Sequence, residues 1–231
     1  MRKVDAVITV GEASRQAVEQ MGVPASRIFT AFNTIDVAEF STAARDLRTS
    51  GGAGEGHRFV YVGQLIDRKN VRSIIDAFLA IRNGLDSLCI AGDGRLSEEL
   101  KAHVQAANLE GSVRFVGHVA TEDLPALYAE SDTLVLASTE EVWGFVVNEA
   151  LASGLHVVVS ENCGVTASVK SMPNVYIAQT SVESIAAGMA RSRGDWNGPA
   201  FDHPILAETP EKFADAVVAA VNFAVAKRVS R

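Results

Sequence analysis

Two glutamates with seven residues between them, Glu141 and Glu149, bracket Gly144 in the stretch Glu140 to Gly154, EEVWGFVVNEALASG. Carboxylates accept hydrogen bonds from sugar hydroxyls without acting as nucleophiles. Gly144 lets a ligand approach the backbone closely, and a helix beginning at Phe145 leaves the N–H groups of Phe145 and Val146 free for a phosphate. A second cluster, Gly63, Gln64, Leu65, Ile66, Asp67, Arg68 and Lys69, adds cations. Lys69 can place a point charge on a diphosphate, and Arg68 offers a guanidinium fork. Gly92, Asp93 and Gly94 form a third loop, Gly117 and His118 a fourth. Taken singly, each feature also reads as ordinary structure: solvated charges before a helix, a plain turn, an acid at a helix N-terminus. Together their chemistry suits a nucleotide that carries phosphate and sugar.

The elements that must hold these loops alternate. Strands are expected at Arg58 to Val62, Ser87 to Ala91, Val113 to Val116, Asp132 to Ala137, His156 to Val159 and Val175 to Ala178. Helices are expected at Val71 to Arg82, Leu96 to Ala107, Leu124 to Ala129 and from Phe145. Apolar runs too continuous to face water on one side indicate a parallel sheet covered on both faces. The expected fold class is α/β, a Rossmann-like parallel sheet with helices on both faces, in which the four loops converge on one crevice at the carboxyl ends of the strands.

Ahead of this domain, residues 1–40 read as a strand, helix, strand unit, too small to bury its own faces. Residues 41–57, rich in Ser, Thr, Ala and Gly, read as a flexible linker. The alternating domain occupies 58–195. Residues 196–231 read as a loop and a C-terminal helix, Glu211 to Arg228, apolar around almost its whole circumference and therefore expected to be buried against protein. An amphipathic membrane anchor ending in Lys227 and Arg228 is the alternative, but it calls for a charged polar face.

Composition excludes other classes. A formal net charge of −7 provides no basic field for nucleic acid. Cys89 and Cys163, like the five dispersed histidines, lack the spacing of a disulfide framework or a metal site. The opening MRKVDAVITV is too short in apolar residues for a signal peptide, and no segment reaches the roughly 20 apolar residues that span a bilayer. These features point to a cytoplasmic protein. A dinucleotide-dependent oxidoreductase is disfavoured, since no G-x-G-x-x-G follows an expected strand.

The Glu141 and Glu149 pair, with its glycine and alanine frame, resembles the signature of retaining glycosyltransferases of the GT-B fold, group 1 or family 4. VGQLIDRKN (Val62 to Asn70), IAGDGR (Ile90 to Arg95) and VRFVGHV (Val113 to Val119) resemble further loops of that family. AVITVGEASRQAVEQMGV and FNTIDVAEF resemble the segment entering its nucleotide-binding domain. The resemblance implies one half of a GT-B fold, the C-terminal, donor-binding domain. It implies a nucleotide diphosphate sugar, linked to UDP, GDP or ADP, as donor substrate, and no obligatory metal or other cofactor. It implies transfer of a hexose-type sugar with retention, by a front-face route in which the leaving phosphate takes the acceptor proton. Glu141 would hold the sugar, Lys69 would neutralise the leaving diphosphate, and Glu149 would bind the ribose. Gly144, Phe145 and Val146 would offer N–H groups, while Gly63, Gln64, Arg68, Gly92, Asp93, Gly94 and His118 would line the donor site. The family usually has arginine where Gln64 stands, and its double-glycine and glutamate element is reduced here to Asn162, Cys163, Gly164 and Val165. Its acceptor-binding domain is represented only by a last strand and helix at Val4 to Met21. An acceptor domain is therefore expected from a partner, a separate N-terminal domain or a homodimer. A non-catalytic nucleotide-sugar-binding or assembly module is the alternative.

Overall fold

The computed structural model describes residues 4–48 and 56–229. Six strands form one all-parallel sheet: β3 (Arg58–Val62), β4 (Ser87–Ala91), β5 (Val113–Gly117), β6 (Thr133–Leu136), β7 (His156–Ser160) and β8 (Val175–Ala178), in the spatial order β5-β4-β3-β6-β7-β8. The α/β expectation therefore holds. All residues of β6 and β7 are buried, as their unbroken apolar runs require of strands covered on both faces. The strand order reverses between β3 and β6, and a crevice opens at the carboxyl ends of the strands at such a reversal.

Parallel neighbours need crossover connections, which helices supply here. α3 (Val71–Ile81) and α4 (Ser97–Ala106) follow β3 and β4. α8 (Val182–Asp195) packs along α3. α5 (Leu124–Ala129) and α6 (Phe145–Ala152) cover the opposite face together with α2 (Val37–Arg48), and the short α7 (Thr166–Val169) follows β7. On α3 the residues Ile74, Ile75 and Phe78 recur at helical spacing and are fully buried; each such side chain contributes roughly 1.5–3 kcal/mol.

Before this sheet, β1 (Val7–Val10) and β2 (Ile28–Ala31) pair in parallel with α1 (Gly11–Gln20) between them. The last helix, α9 (Pro210–Val229), returns to pack on β2 and β1, with Phe223 against Phe29 at 5.5 Å between ring centroids. No helix among the described residues is long and apolar enough to cross a membrane.

Two expectations need correction. Residues 41–48 of the expected linker 41–57 are the body of α2, and the rest of that stretch falls largely outside the described residues. Asp36 Oδ1 accepts from Glu39 N–H at 2.9 Å and caps the helix start. Phe40 and Ala44 are buried, Phe40 against Tyr128. At the far end Arg48 donates to the carbonyls of Tyr128 (3.1 Å) and Ser131. The second correction concerns α9, expected to be buried around its circumference. Ala220 is its one buried residue among those described, and Val218, Val221 and Val225 are more than half exposed. The β1–β2 pair is only two strands wide and covers one face of the helix.

The amino ends of the strands carry a buried polar network. His57 Nε2 bonds Thr133 Oγ1 (2.8 Å), which bonds Ser192 Oγ (2.7 Å), while His57 N–H donates to Asp86 Oδ1 (2.9 Å). Trp196 stands edge-on to His57 and His156. Burial lowers the His57 pKa to about 4, against the pull of Asp132 and Asp86. A histidine neutral in the fold but cationic when unfolded binds fewer protons in the native state, so stability falls as pH drops from about 6.5 to about 4. His57 alone is expected to remove roughly 3 kcal/mol across that window, at 1.36 kcal/mol per pKa unit. Urea midpoints at pH 7 and pH 4.5 measure it; equal midpoints would contradict the assignment.

Candidate functional site

The carboxyl ends of β3 and β6 meet at the reversal point. Beyond β3 the chain turns through a 3-10 turn, Asp67–Lys69, and Asn70 before entering α3. Beyond β6 it runs through Ala137 to Gly144 into α6. The two loops are laced together: Thr139 N–H donates to Arg68 O (2.8 Å), and Arg68 donates to Glu140 O (3.2 Å). Lys69 Nζ pairs directly with Glu141 Oε2, and Arg68 stands 3.5 Å from the same oxygen. Lys69 and Glu141 side chains are 12% and 13% exposed, so the pair feels less solvent screening than a surface salt bridge. Lys69 and Arg68 thus converge on one carboxylate at the crevice floor.

Glu141 belongs to a rigid loop. Gly164 N–H donates to Glu141 O (2.9 Å) and Val165 N–H to Trp143 O (3.0 Å), joining the loop to the segment after β7. Gly144 has φ +103° and precedes α6, whose first internal bond runs from Val147 N–H to Gly144 O (3.0 Å). The N–H groups of Phe145 and Val146 lie before that bond, at the helix end suited to anions. Trp143 is buried, edge-on to Phe32 (5.2 Å) and beneath Gly11, where a Cβ would overlap its indole.

Gly63, Gln64, Gly92, Asp93 and His118 line a cavity of about 410 Å³ with Val62, Ala91 and Val119. Its walls are drawn close by backbone bonds: Gly63 N–H to Ala91 O (2.9 Å), Gly92 N–H to Gly117 O (2.6 Å) and Leu65 N–H to Asp93 O (2.9 Å). A Cβ at Gly92 would overlap the Gly63 carbonyl, and one at Gly94 the Leu65 carbonyl. Asp93 Oδ2 accepts from His118 N–H at 3.2 Å.

Glu149 stands apart from the ion pair, one turn into α6 and 8% exposed. Tyr128 O–H donates to its Oε2 at 2.7 Å. Burial raises the Glu149 pKa, opposed by the Tyr128 hydrogen bond. A carboxyl that holds its proton more tightly in the fold weakens the native state once pH exceeds the unfolded pKa of about 4.3, and has no such effect well below it. Glu149→Gln keeps an acceptor for Tyr128. It is expected to raise the thermal midpoint at pH 7, with the gain vanishing below about pH 4; calorimetric melts at both values measure it.

Cys163 lies behind the ion pair. Burial pushes its thiol up to about 12, with Glu141 adding to the effect, so it is no thiolate nucleophile at neutral pH. Sequence reading missed Tyr128, which looks like core, and Asn70, which looks like a helix cap. It also missed Trp143 as the contact between the site loop and the β1–β2 unit; its place beside Gly144 was the one available signal.

Residues 45–196 match the family model described as glycosyl transferases group 1. An uncharacterized glycosyltransferase of Methanocaldococcus jannaschii is 29% identical over 199 residues, covering 82% of this chain and 51% of that protein. Glycogen synthase of Mycobacterium tuberculosis is 31% identical over 193 residues, covering 82% and 45%. The chain thus spans about half the length of these curated relatives. Among solved structures, HepE of Anabaena in complex with UDP superposes with a TM-score of 0.70 at 23% identity, covering 99% of this chain and 64% of that one. The C-terminal domain of a group 1 family protein from Francisella tularensis gives 0.60 at 19% identity, covering 80% of this chain and 97% of that one.

Proposed function

The chain belongs to the group 1 glycosyl transferases, and we propose that it is a donor half, binding a nucleotide diphosphate sugar for transfer of a hexose-type sugar with retention. The observation that carries this reading is the Lys69 and Glu141 pair at the strand-order reversal, beside the glycine-walled cavity. The nucleoside would occupy the cavity of Gly63, Gln64, Gly92, Asp93 and His118. Lys69, with Arg68, would meet the diphosphate, joined by the N–H groups of Phe145 and Val146. Glu141 would take sugar hydroxyls as Lys69 turns to the phosphate, and Glu149 would accept from ribose.

In transfer, the bond between the anomeric carbon and the diphosphate breaks as the bond to the acceptor oxygen forms on the same face. The acceptor proton passes to the leaving phosphate. Lys69 would stabilise the charge that builds there, the largest electrostatic demand of the step. The acceptor side would come from a partner, an N-terminal domain or a second copy. The coverage of about half of each relative, together with the two-stranded β1–β2 pair and the uncovered valines of α9, supports this.

Calorimetric titration with UDP, GDP and ADP tests the reading. Heat is expected from at least one of them; folded protein that binds none would sink it. Binding without any transfer in the presence of the acceptor-side partner would favour the second reading, a nucleotide-sugar-binding assembly module, which the uncovered α9 face supports.

A further inference from the structure

We propose that Asn70 is a positioning residue that sets how Lys69 meets Glu141. An asparagine directly before a helix ordinarily caps it with its side-chain oxygen. Asn70 makes no such cap on α3. Its Nδ2 instead donates to Ala137 O at 3.2 Å and to Thr180 O at 2.9 Å. Those carbonyls follow β6 and β8, so one amide ties the loop after β3 to the ends of two other strands.

The backbone of Asn70 is equally particular. It adopts φ +56° and ψ +34°, a left-handed conformation that asparagine tolerates better than other side-chain-bearing residues. This reverses the chain between the 3-10 turn and α3, and Asn70 N–H closes the turn on Asp67 O at 2.9 Å. Lys69 is the residue immediately before. With Thr139 N–H holding Arg68 O on the other side, the backbone carrying Lys69 is gripped from both flanks by the segment that also carries Glu141. The side chain of Asn70 touches neither charged group and acts through where it holds Lys69. Its consequence for donor binding rests on the function proposed above; its effect on the ion pair does not.

Two variants separate the backbone from the amide. Asn70→Gly keeps the left-handed conformation and removes both hydrogen bonds. Asn70→Asp keeps the shape but faces two carbonyl oxygens with a carboxylate. The first readout uses the protein alone: acetylation of Lys69 by acetic anhydride, followed by mass spectrometry, with thermal midpoints in parallel. Both variants are expected to acetylate at Lys69 severalfold faster than the wild type at an unchanged rate for the exposed Lys101. An unchanged Lys69 rate in folded variants overturns the proposal. The second readout is a double-mutant cycle on whichever of UDP, GDP or ADP binds. Asn70→Gly is expected to weaken binding roughly tenfold, equivalent to about 1.4 kcal/mol, and to have no further effect in a Lys69→Met background. Equal losses in both backgrounds would show that Asn70 acts on the fold and not through Lys69. Should no nucleoside diphosphate bind the wild type, the donor reading fails, while the acetylation rates still decide the role of Asn70.

Discussion

Gly92→Ala is expected to cost about 2–6 kcal/mol of folding free energy, summing backbone strain of about 1–3 with overpacking of about 1–3. Gly92 has φ +137°, and a Cβ there would overlap the carbonyl oxygen of Gly63. That oxygen belongs to the loop after β3, so the overlap has no flexible side chain to absorb it. The carboxyl ends of β3 and β4 must separate, breaking the bonds Gly63 N–H to Ala91 O and Leu65 N–H to Asp93 O. A loss of that size takes a large share of the 5–15 kcal/mol typical of a domain and lowers the midpoint by roughly 10 °C. Because the same overlap opens the cavity wall, nucleotide binding should disappear even at temperatures where the variant is folded. Gly84→Ala is the control: nothing lies within 4 Å of a Cβ there and its φ is ordinary. A Gly92→Ala protein melting with the wild type would refute the close approach of the two loops.

Lys69→Met should weaken nucleoside diphosphate binding about a hundredfold, or roughly 2.7 kcal/mol, within the range for hydrogen bonds to charged groups. Lys69 is largely covered, so its charge is only partly screened. The variant retains the stem but not the ammonium, and Glu141 keeps only Arg68 at 3.5 Å. Lys69→Arg should restore part of the loss, since a planar fork does not reproduce a point charge in a site shaped for one. The matching nucleoside, which carries no phosphate, separates charge from folding. Its affinity should be the same in wild type and Lys69→Met. If the nucleoside loses as much as the diphosphate, Lys69 does not meet phosphate.

The strands and most helices of the sheet domain were legible because burial on both faces leaves a plain mark. β3, β4 and α5 have the expected bounds, and β6 lies inside its expected run. The start of α6 at Phe145 was legible because Gly144 is a clear stop. The same reasoning failed at residues 41–48, where Ser41, Thr42 and alanines resemble a linker. The informative signal lay earlier, in Asp36 and Glu39, whose spacing caps a helix. It failed for α9 too, since periodicity reports how apolar a face is and not how much protein exists to cover it. α8 went unread because its mixed face hides the Ser181 cap that begins it. At the site, Lys69 and Glu141 were readable as chemistry from their residue types. Their pairing was not, because they lie far apart in the chain and meet only through the strand order. Tyr128 was invisible as a partner for Glu149 for the same reason.

The return of α9 to β1 and β2 also sets an order for synthesis. The β1–β2 pair is made well before the helix that covers it, which begins about 180 positions after Ala31. At about 5–20 residues per second, the pair waits roughly 10–40 s for its cover. During that interval two short parallel strands present open edges and an apolar face that includes Phe29 and Ile8. Exposed apolar surface and unpaired strand edges of this kind invite aggregation, so the interval between making β2 and making α9 is the vulnerable one.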